Sequence, residues 1–223
     1  MTQIRRIGPG TLAVELRRRL ASEEMNFGLR CDLQRLPPPK QARIPLTLER
    51  CDGSFDGFQA ELDRTSGADH GRIVRRQKLH AQGVHSMHVA FDDTGMPIYV
   101  QWLVTSPDQV MLPDTAQLWP ALNPDEVLLE FAYTFTPFRG FGVMADAMGR
   151  LLQVAAQSGA RWAFTYVSDE NVPSLRGCSK VGFDLDHVRT TTNRLGASRN
   201  RFRAPTDDDR RGWEQATAAR SSS

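Results

Sequence analysis

One stretch, residues 127–143 (VLLEFAYTFTPFRGFGV), constrains this chain more than any other. It begins as an apolar run of branched and aromatic residues, which is the composition of a buried strand. Pro137 ends the strand, because proline fixes its own φ and has no N–H to give to a ladder. Arg139-Gly140-Phe141-Gly142 then forms a short loop. From Val143 the apolar positions Val143, Met144, Ala147, Met148, Leu151, Leu152 and Ala155 recur at helical spacing. Strand, glycine loop and helix in that order make an anion cradle. Glycines let backbone N–H groups come close to a ligand, and the first helical turn adds unpaired donors and the positive end of a dipole. A phosphate or pyrophosphate suits such a cradle. On these residues alone, a tight turn without a ligand explains Gly140 and Gly142 equally well. The sequence lacks both G-x-x-x-x-G-K-[ST] and G-x-G-x-x-G, so neither a P-loop nor a dinucleotide fingerprint is indicated.

The bulk properties narrow the classes further. A chain of 223 residues with 40% hydrophobic and 24% charged residues suffices for one large globular domain or one domain with an appendage. A formal net charge of +2 gives no reason to expect a nucleic-acid or membrane partner. No window approaches the roughly 18 apolar residues of a membrane span. The start, MTQIRRIGPG, has no apolar segment after its basic residues, which argues against a secretory signal. Cys31, Cys51 and Cys178 are odd in number and far apart, neither a disulfide framework nor a metal set. These features together predict a cytoplasmic protein with reduced thiols.

Taken in order, residues 11–24 predict a helix with Leu12, Leu16 and Leu20 on one face. Its arginines, Arg17, Arg18 and Arg19, read as a solvated face. Residues 26–33 alternate as a strand, and Pro37-Pro38-Pro39 is a stiff connector before further strand-like sequence at 44–48. Residues 55–82 predict one or two short helices broken near Gly67. Residues 87–105 predict a hairpin turning at Asp92-Asp93-Thr94-Gly95. After the central strand and its helix, residues 161–168 predict a strand parallel to the central one. A short helix at 172–181 and strands near 184–192 and 199–204 follow. The organisation predicted is an N-terminal helix over 1–25, a single domain over 26–204 and a polar, mobile tail over 205–223.

Two motifs stand in order with a strand between them. The first is Thr136-Pro137-Phe138-Arg139-Gly140-Phe141-Gly142 entering a helix. The second is Asn171-Val172-Pro173-Ser174, then Cys178-Ser179-Lys180-Val181-Gly182-Phe183. Together they resemble the GNAT acyltransferase superfamily, whose Q/R-x-x-G-x-G/A loop binds the coenzyme A pyrophosphate and whose N-x-x-[AS]…K-x-G-F segment flanks the pantetheine arm. The resemblance in motif covers about residues 127–183. It implies an α/β (α+β) fold: a mixed, mostly antiparallel sheet with a splayed parallel strand pair and helices on both faces. It implies acetyl-CoA as acyl-donor co-substrate, with no metal. Arg139, Gly140, Phe141, Gly142, Val143 and Met144 would hold the pyrophosphate. The backbone of Tyr133, Thr134, Phe135 and Thr136 would pair with pantetheine in a strand-like way. An N–H near Phe135 or Thr136 would polarise the thioester, a donor type whose removal costs about 2.7–4 kcal/mol. Asn171, Ser174 and Lys180 would flank the pantetheine arm.

The chain departs from the family pattern twice. Met144 stands where the loop usually ends in Gly or Ala, and a bulky side chain there would tilt the pyrophosphate or turn outward. Cys178 stands where the family often has a tyrosine general acid. Its thiol is either that acid or a small buried hydrophobe. Glu130, inside an otherwise apolar strand, is the candidate general base, and strand parity groups it with Ala132, Thr134 and Thr136 unless a bulge intervenes. An edge carboxylate paired with an arginine is its alternative role. His85 and His88 lack further ligands at metal spacing. Residues 26–122 would shape the acceptor pocket, and Tyr99 and Trp102 would either line it or, as suits such residues better, pack in the core. The expected activity is N-acyl transfer, acetyl above all, to a small-molecule amine by a monomer or homodimer, without nucleic acid or membrane. A non-catalytic acyl-CoA-binding module, or transfer from a longer-chain or carrier-protein thioester, remain the alternatives.

Overall fold

The structure, a computed structural model, describes residues 21–84, 86–109, 112, 119–194 and 197–218. Its strands are β1 (Ala21–Asp32), β2 (Thr47–Arg50), β3 (Met87–Phe91), β4 (Pro97–Thr105), β5 (Glu126–Thr134), β6 (Trp162–Ser168), β7 (Asp184–Arg194) and β8 (Ala197–Arg203). The helices are α1 (Gly57–Leu62), α2 (Gly67–Ala81), α3 (Ser106–Gln109), α4 (Val143–Gln157), α5 (Val172–Lys180) and α6 (Asp207–Thr217). The strands form one sheet in the order β2-β3-β4-β5-β6-β1-β7-β8. Every neighbouring pair is antiparallel except β5 and β6. This is the mixed, mostly antiparallel sheet with one parallel pair that the sequence implies.

The parallel pair is short. Glu126, Val127 and Leu128 pair with Trp162, Ala163 and Phe164, and the pairing stops there. A bulge on the other side of β5 explains why. Val100 of β4 faces Tyr133 and Trp102 faces Glu130, so Gln101 alone spans Phe131 and Ala132. Phe131 takes φ 58, a left-handed conformation unusual for an aromatic residue. A bulge bends its strand and strengthens the twist, which turns the second half of β5 away from β6. It also resets the alternation. Leu128 and Tyr133 join the same apolar cluster, while Ala132 packs with Val143 and Ala147 on the opposite side. Glu130 therefore shares its face with Tyr133, and the simple parity grouping with Ala132 and Thr134 is overturned.

Helices clothe the two faces unequally. On one, Phe58 of α1 and Ile73 and Leu79 of α2 pack on Val89, Val100, Trp102 and Leu128. On the other, Met148, Leu151, Leu152 and Ala155 of α4 pack with Leu175 of α5 and Trp213 of α6 on Leu29, Leu129 and Val188. Each fully buried apolar side chain contributes about 1.5–3 kcal/mol, so these clusters fix how the elements lie.

Two local readings are corrected. Residues 11–20 of the expected N-terminal helix lie outside the described residues. Ala21 to Glu24 are strand, paired with Arg194 to Thr191 of β7, because a ladder partner outweighs a weak local propensity. The polar segment after 204 contains a helix, α6. Thr206 and Asp209 form a reciprocal capping box, and Trp213 is buried against the core. Mean polarity hid both signals.

Candidate active site

The chain leaves β5 through a 3-10 turn at Thr136–Phe138 and enters α4 by way of two left-handed glycines. Gly140 and Gly142 both have φ 83. That conformation costs an L-residue about 1–2 kcal/mol and costs glycine none, which is why glycine stands at both positions. The segment before β2 holds the loop from behind. Arg43 N–H donates to Phe141 O at 2.8 Å and its guanidinium to Gly140 O at 3.0 Å. Ala42 N–H donates to Asp146 Oδ2 at 2.8 Å. The loop carbonyls are thereby drawn back toward residues 42 and 43. Among the described residues, the N–H groups of Gly140, Phe141, Gly142, Val143 and Met144 make no hydrogen bond within the chain. Five consecutive free amides at the positive end of a 15-residue helix have the donor geometry and the dipole that suit an anion.

This loop opens on a cleft of ≈ 750 Å³ lined by Tyr133, Thr134, Arg139, Gly140, Gly142, Val143, Met144, Asn171, Ser174 and Lys180. Ten of the fifteen site residues expected from sequence thus meet in one groove. A second cleft of ≈ 520 Å³, holding Glu130, Tyr166, Cys178 and Arg189, adjoins it. Arg72, Arg76, Ala132, Met144, Asn171 and Ser174 line both. Asn171 earns its place twice. It faces the cleft, and its Oδ1 caps α5 by accepting from Ser174 N–H at 3.4 Å.

Met144 is half-buried and lines both clefts. Its thioether reaches across to α5, where a Cβ on Gly177 would come within 3.2 Å of the sulfur. A small residue on α5 accommodates the large one on α4, and the side chain marks the boundary between the two clefts.

The strand edge differs from expectation. Phe135 N–H donates to Ile98 O of β4 at 3.0 Å, and Thr136 N–H donates to Glu61 Oε1 at 2.9 Å. Neither is free, so neither is the thioester donor that the family pattern implied. By the alternation of an antiparallel ladder, Tyr133 also faces β4, while the groups of Ala132 and Thr134 face the gap. Their carbonyls already have partners. Arg76 donates to Phe131 O and Ala132 O, both at 2.7 Å, and Arg139 Nε donates to Thr134 O at 3.2 Å. Both guanidinium groups lie 5.2 Å from the Tyr133 ring centroid, and Asp69 anchors Arg139 at 2.8 Å. The N–H groups of Ala132 and Thr134 are the gap-facing donors of this edge.

Glu130 sits at the mouth of the splay. Its Oε1 accepts from Tyr166 N–H of β6 at 2.8 Å, where the lost ladder would have run. Protein packed around the carboxyl pushes its pKa up to about 7, and the Tyr166 amide and the Arg189 and Arg76 charges offset only part of that burial effect. A carboxyl poised near neutrality in a cleft is suited to proton transfer. Cys178 is a different matter. It is 0% exposed, packed with its sulfur 4.0 Å from that of Met148. Burial pushes its thiol far above the ordinary range, so passing a proton to a leaving thiolate would run uphill. Its place is that of a small core hydrophobe, and the expectation of a Cys178 general acid is dropped.

Two contributors escaped the sequence. Arg76 and Glu61 lie in helices whose pattern signals only amphipathicity, and no local feature marks them as partners of β5. Glu61, fully buried, also accepts from Tyr133 Oη at 3.0 Å and Thr136 Oγ1 at 2.9 Å, and so sets the turn that feeds the loop. Among the described residues no group of three His, Cys, Asp or Glu is placed to hold a metal. His88 rests on Ser86 O, and His85 lies outside the described residues. No helix there is long and apolar enough to cross a membrane.

No family model and no curated protein matches the chain in sequence. Solved structures do match it in fold. It is similar to a GCN5-related glucosamine N-acetyltransferase region in a fungal multi-domain GH3 beta-N-acetylglucosaminidase, with TM-score 0.58 and 17% identity over 82% of this chain and 22% of that one. A GNAT-family acetyltransferase from Colwellia psychrerythraea matches with TM-score 0.51 and 13% identity, over 82% of this chain and 60% of that one. A GCN5-related N-acetyltransferase from Kribbella flavida matches with TM-score 0.51 and 14% identity, over 85% and 65%. The chain spans less than two thirds of the length of each.

Proposed function

We propose that this chain, which has the GNAT fold, is an N-acyltransferase that moves an acyl group, acetyl foremost, from coenzyme A to the amine of a small molecule. The observation that carries the reading is the row of five unpartnered amides from Gly140 to Met144, opening on a cleft that adjoins the one holding Glu130. Coenzyme A, when bound, supplies an activated acyl thioester. The loop amides and the α4 dipole hold its diphosphate, each favourable charge contributing about 0.3–1 kcal/mol. Arg139 and Lys180 flank the same groove. Thr134 N–H, on the gap side of β5, is the donor assigned to the thioester carbonyl.

Glu130 takes the proton that the attacking amine sheds. With a pKa raised to about 7, it then serves as an acid for the leaving sulfur, whose ordinary value near 8.5 lies higher. One carboxyl does both tasks, and no thiol acid is needed. Calorimetry with acetyl-CoA, followed by mass spectrometry of products from an amine library, tests the proposal. Micromolar binding with acetylated product is expected; no binding of any acyl-CoA would end it.

A second reading, a non-catalytic acyl-CoA-binding module, draws on the guanidinium groups that already occupy the Ala132 and Thr134 carbonyls and on the inert Cys178. Tight binding without turnover on any amine would favour it.

A further inference from the structure

Tyr166, Gly28 and His187 lie side by side across three strands. Gly28 of β1 pairs with Tyr166 of β6 on one edge and with His187 of β7 on the other. The missing side chain of Gly28 leaves a hole between them, since a Cβ there would stand 2.4 Å from His187 Nε2. Through that hole Tyr166 Oη and His187 Nε2 meet at 2.8 Å, and His187 Nδ1 lies 2.9 Å from Asp186 Oδ2. A carboxylate only accepts, so Nδ1 carries the proton and Nε2 is left to accept from the tyrosine. Arg30 pairs with Asp186 at 3.2 Å, the Arg189 guanidinium lies 4.7 Å from the Tyr166 ring centroid, and Phe202 packs on both rings. Tyr166 and Glu130 line the same cleft, yet the side chains of Tyr166, His187 and Asp186 have no task in the mechanism above.

We propose that Tyr166, His187 and Asp186 form a proton path that removes the first proton from the acceptor, an inference that rests on the acyl-transfer reading. An alkylamine reaches the cleft as an ammonium ion and has no lone pair for attack until it loses a proton. That proton passes to Tyr166 Oη while the tyrosine's own proton passes to His187 Nε2. The products are a neutral amine, a neutral tyrosine and an imidazolium held against Asp186. The imidazolium returns one proton to solvent, to which the His187 side chain is 17% exposed. The second amine proton, shed as the C–N bond forms and the C–S bond breaks, goes to Glu130 and on to sulfur. Ammonium and thioester thus become amide, thiol and one released proton.

The test uses the full chain, acetyl-CoA and two matched sets of acceptors: alkylamines, protonated at neutral pH, and hydrazides of the same skeletons, neutral there. Tyr166→Phe and His187→Gln should each lower kcat for alkylamines by about 10²-fold, the usual reach of positioned proton transfer, and for hydrazides by less than about threefold. Equal losses on both sets would overturn the path and leave acyl transfer standing. No turnover by the unaltered chain on any acceptor would overturn both. Nitrogen NMR of His187 decides the wiring without turnover. The Nδ1–H tautomer is expected, with an Nε2 resonance that moves in Tyr166→Phe; an Nε2–H tautomer would overturn the proposal.

Discussion

The glycine loop and the Glu130 cleft adjoin, but they are built from different materials. The loop, residues 139–144, is made of backbone. Its donors are main-chain amides and its shape is set by two left-handed glycines; between Arg139, tied to Thr134 O and Asp69, and Met144, its side chains are incidental. The cleft is made of side chains drawn from β5, β6, β7 and α2. The loop should therefore tolerate side-chain changes and fail only where the backbone must strain. The cleft should fail one residue at a time.

The largest expected effect falls in the cleft. Glu130→Gln should reduce kcat by at least about 10²-fold with little change in the KM for acetyl-CoA. In the unaltered chain kcat should rise with pH through about 7, and that step should vanish in the variant. Stability should move the other way. The native carboxyl holds its proton up to about pH 7, above its ordinary range, so the folded state binds more protons than the unfolded chain between those values and stability falls as pH rises across them. Thermal melts at pH 8 should find the variant at least as stable as the parent. A clear loss of stability there would mean that Glu130 is a structural ion-pair partner.

Arg76→Met comes next. It strips the two bulge carbonyls, Phe131 O and Ala132 O, of their donor and should destabilise the fold by about 2–3 kcal/mol in denaturant titration. An unchanged midpoint would show that the bulge holds itself. Gly142→Ala tests the loop. The site has room, because the nearest backbone atom would be 3.6 Å from a new Cβ, but φ 83 remains strained. A cost of about 1 kcal/mol and a KM for acetyl-CoA raised about fivefold, with kcat held, are expected. Phe141→Ala should do least. Its ring is 39% exposed and only its amide and carbonyl are used, so KM should shift less than about twofold. A tenfold rise would mean that the ring itself grips the ligand and that the backbone description of the loop is wrong.

The contrast also explains what could be read in advance. The loop was legible because its requirements are local: a strand, a proline, two glycines and a helical stripe follow one another in sequence. The hairpin at residues 87–105 and the α5 segment beginning at Asn171 were legible for the same reason. The face of Glu130 was not. Parity placed it with Ala132 and Thr134, and a bulge held by Arg76, more than fifty residues away, reversed that assignment. Phe135 and Thr136 looked like available donors because Ile98 and Glu61, which consume them, are invisible to a local pattern. The helix α6 was passed over because average polarity conceals a capping box and one buried tryptophan.

Sequence by itself determined where the glycine loop with its free amides forms, because φ > 0 and free helix-end amides are properties of a few consecutive residues. Tertiary structure alone decided which carboxyl and hydroxyl line the cleft and which imidazole stands behind that hydroxyl. Those choices depend on desolvation and on partners brought together by strand order, from Gly28 on β1 to His187 on β7. No spacing rule along the chain records them.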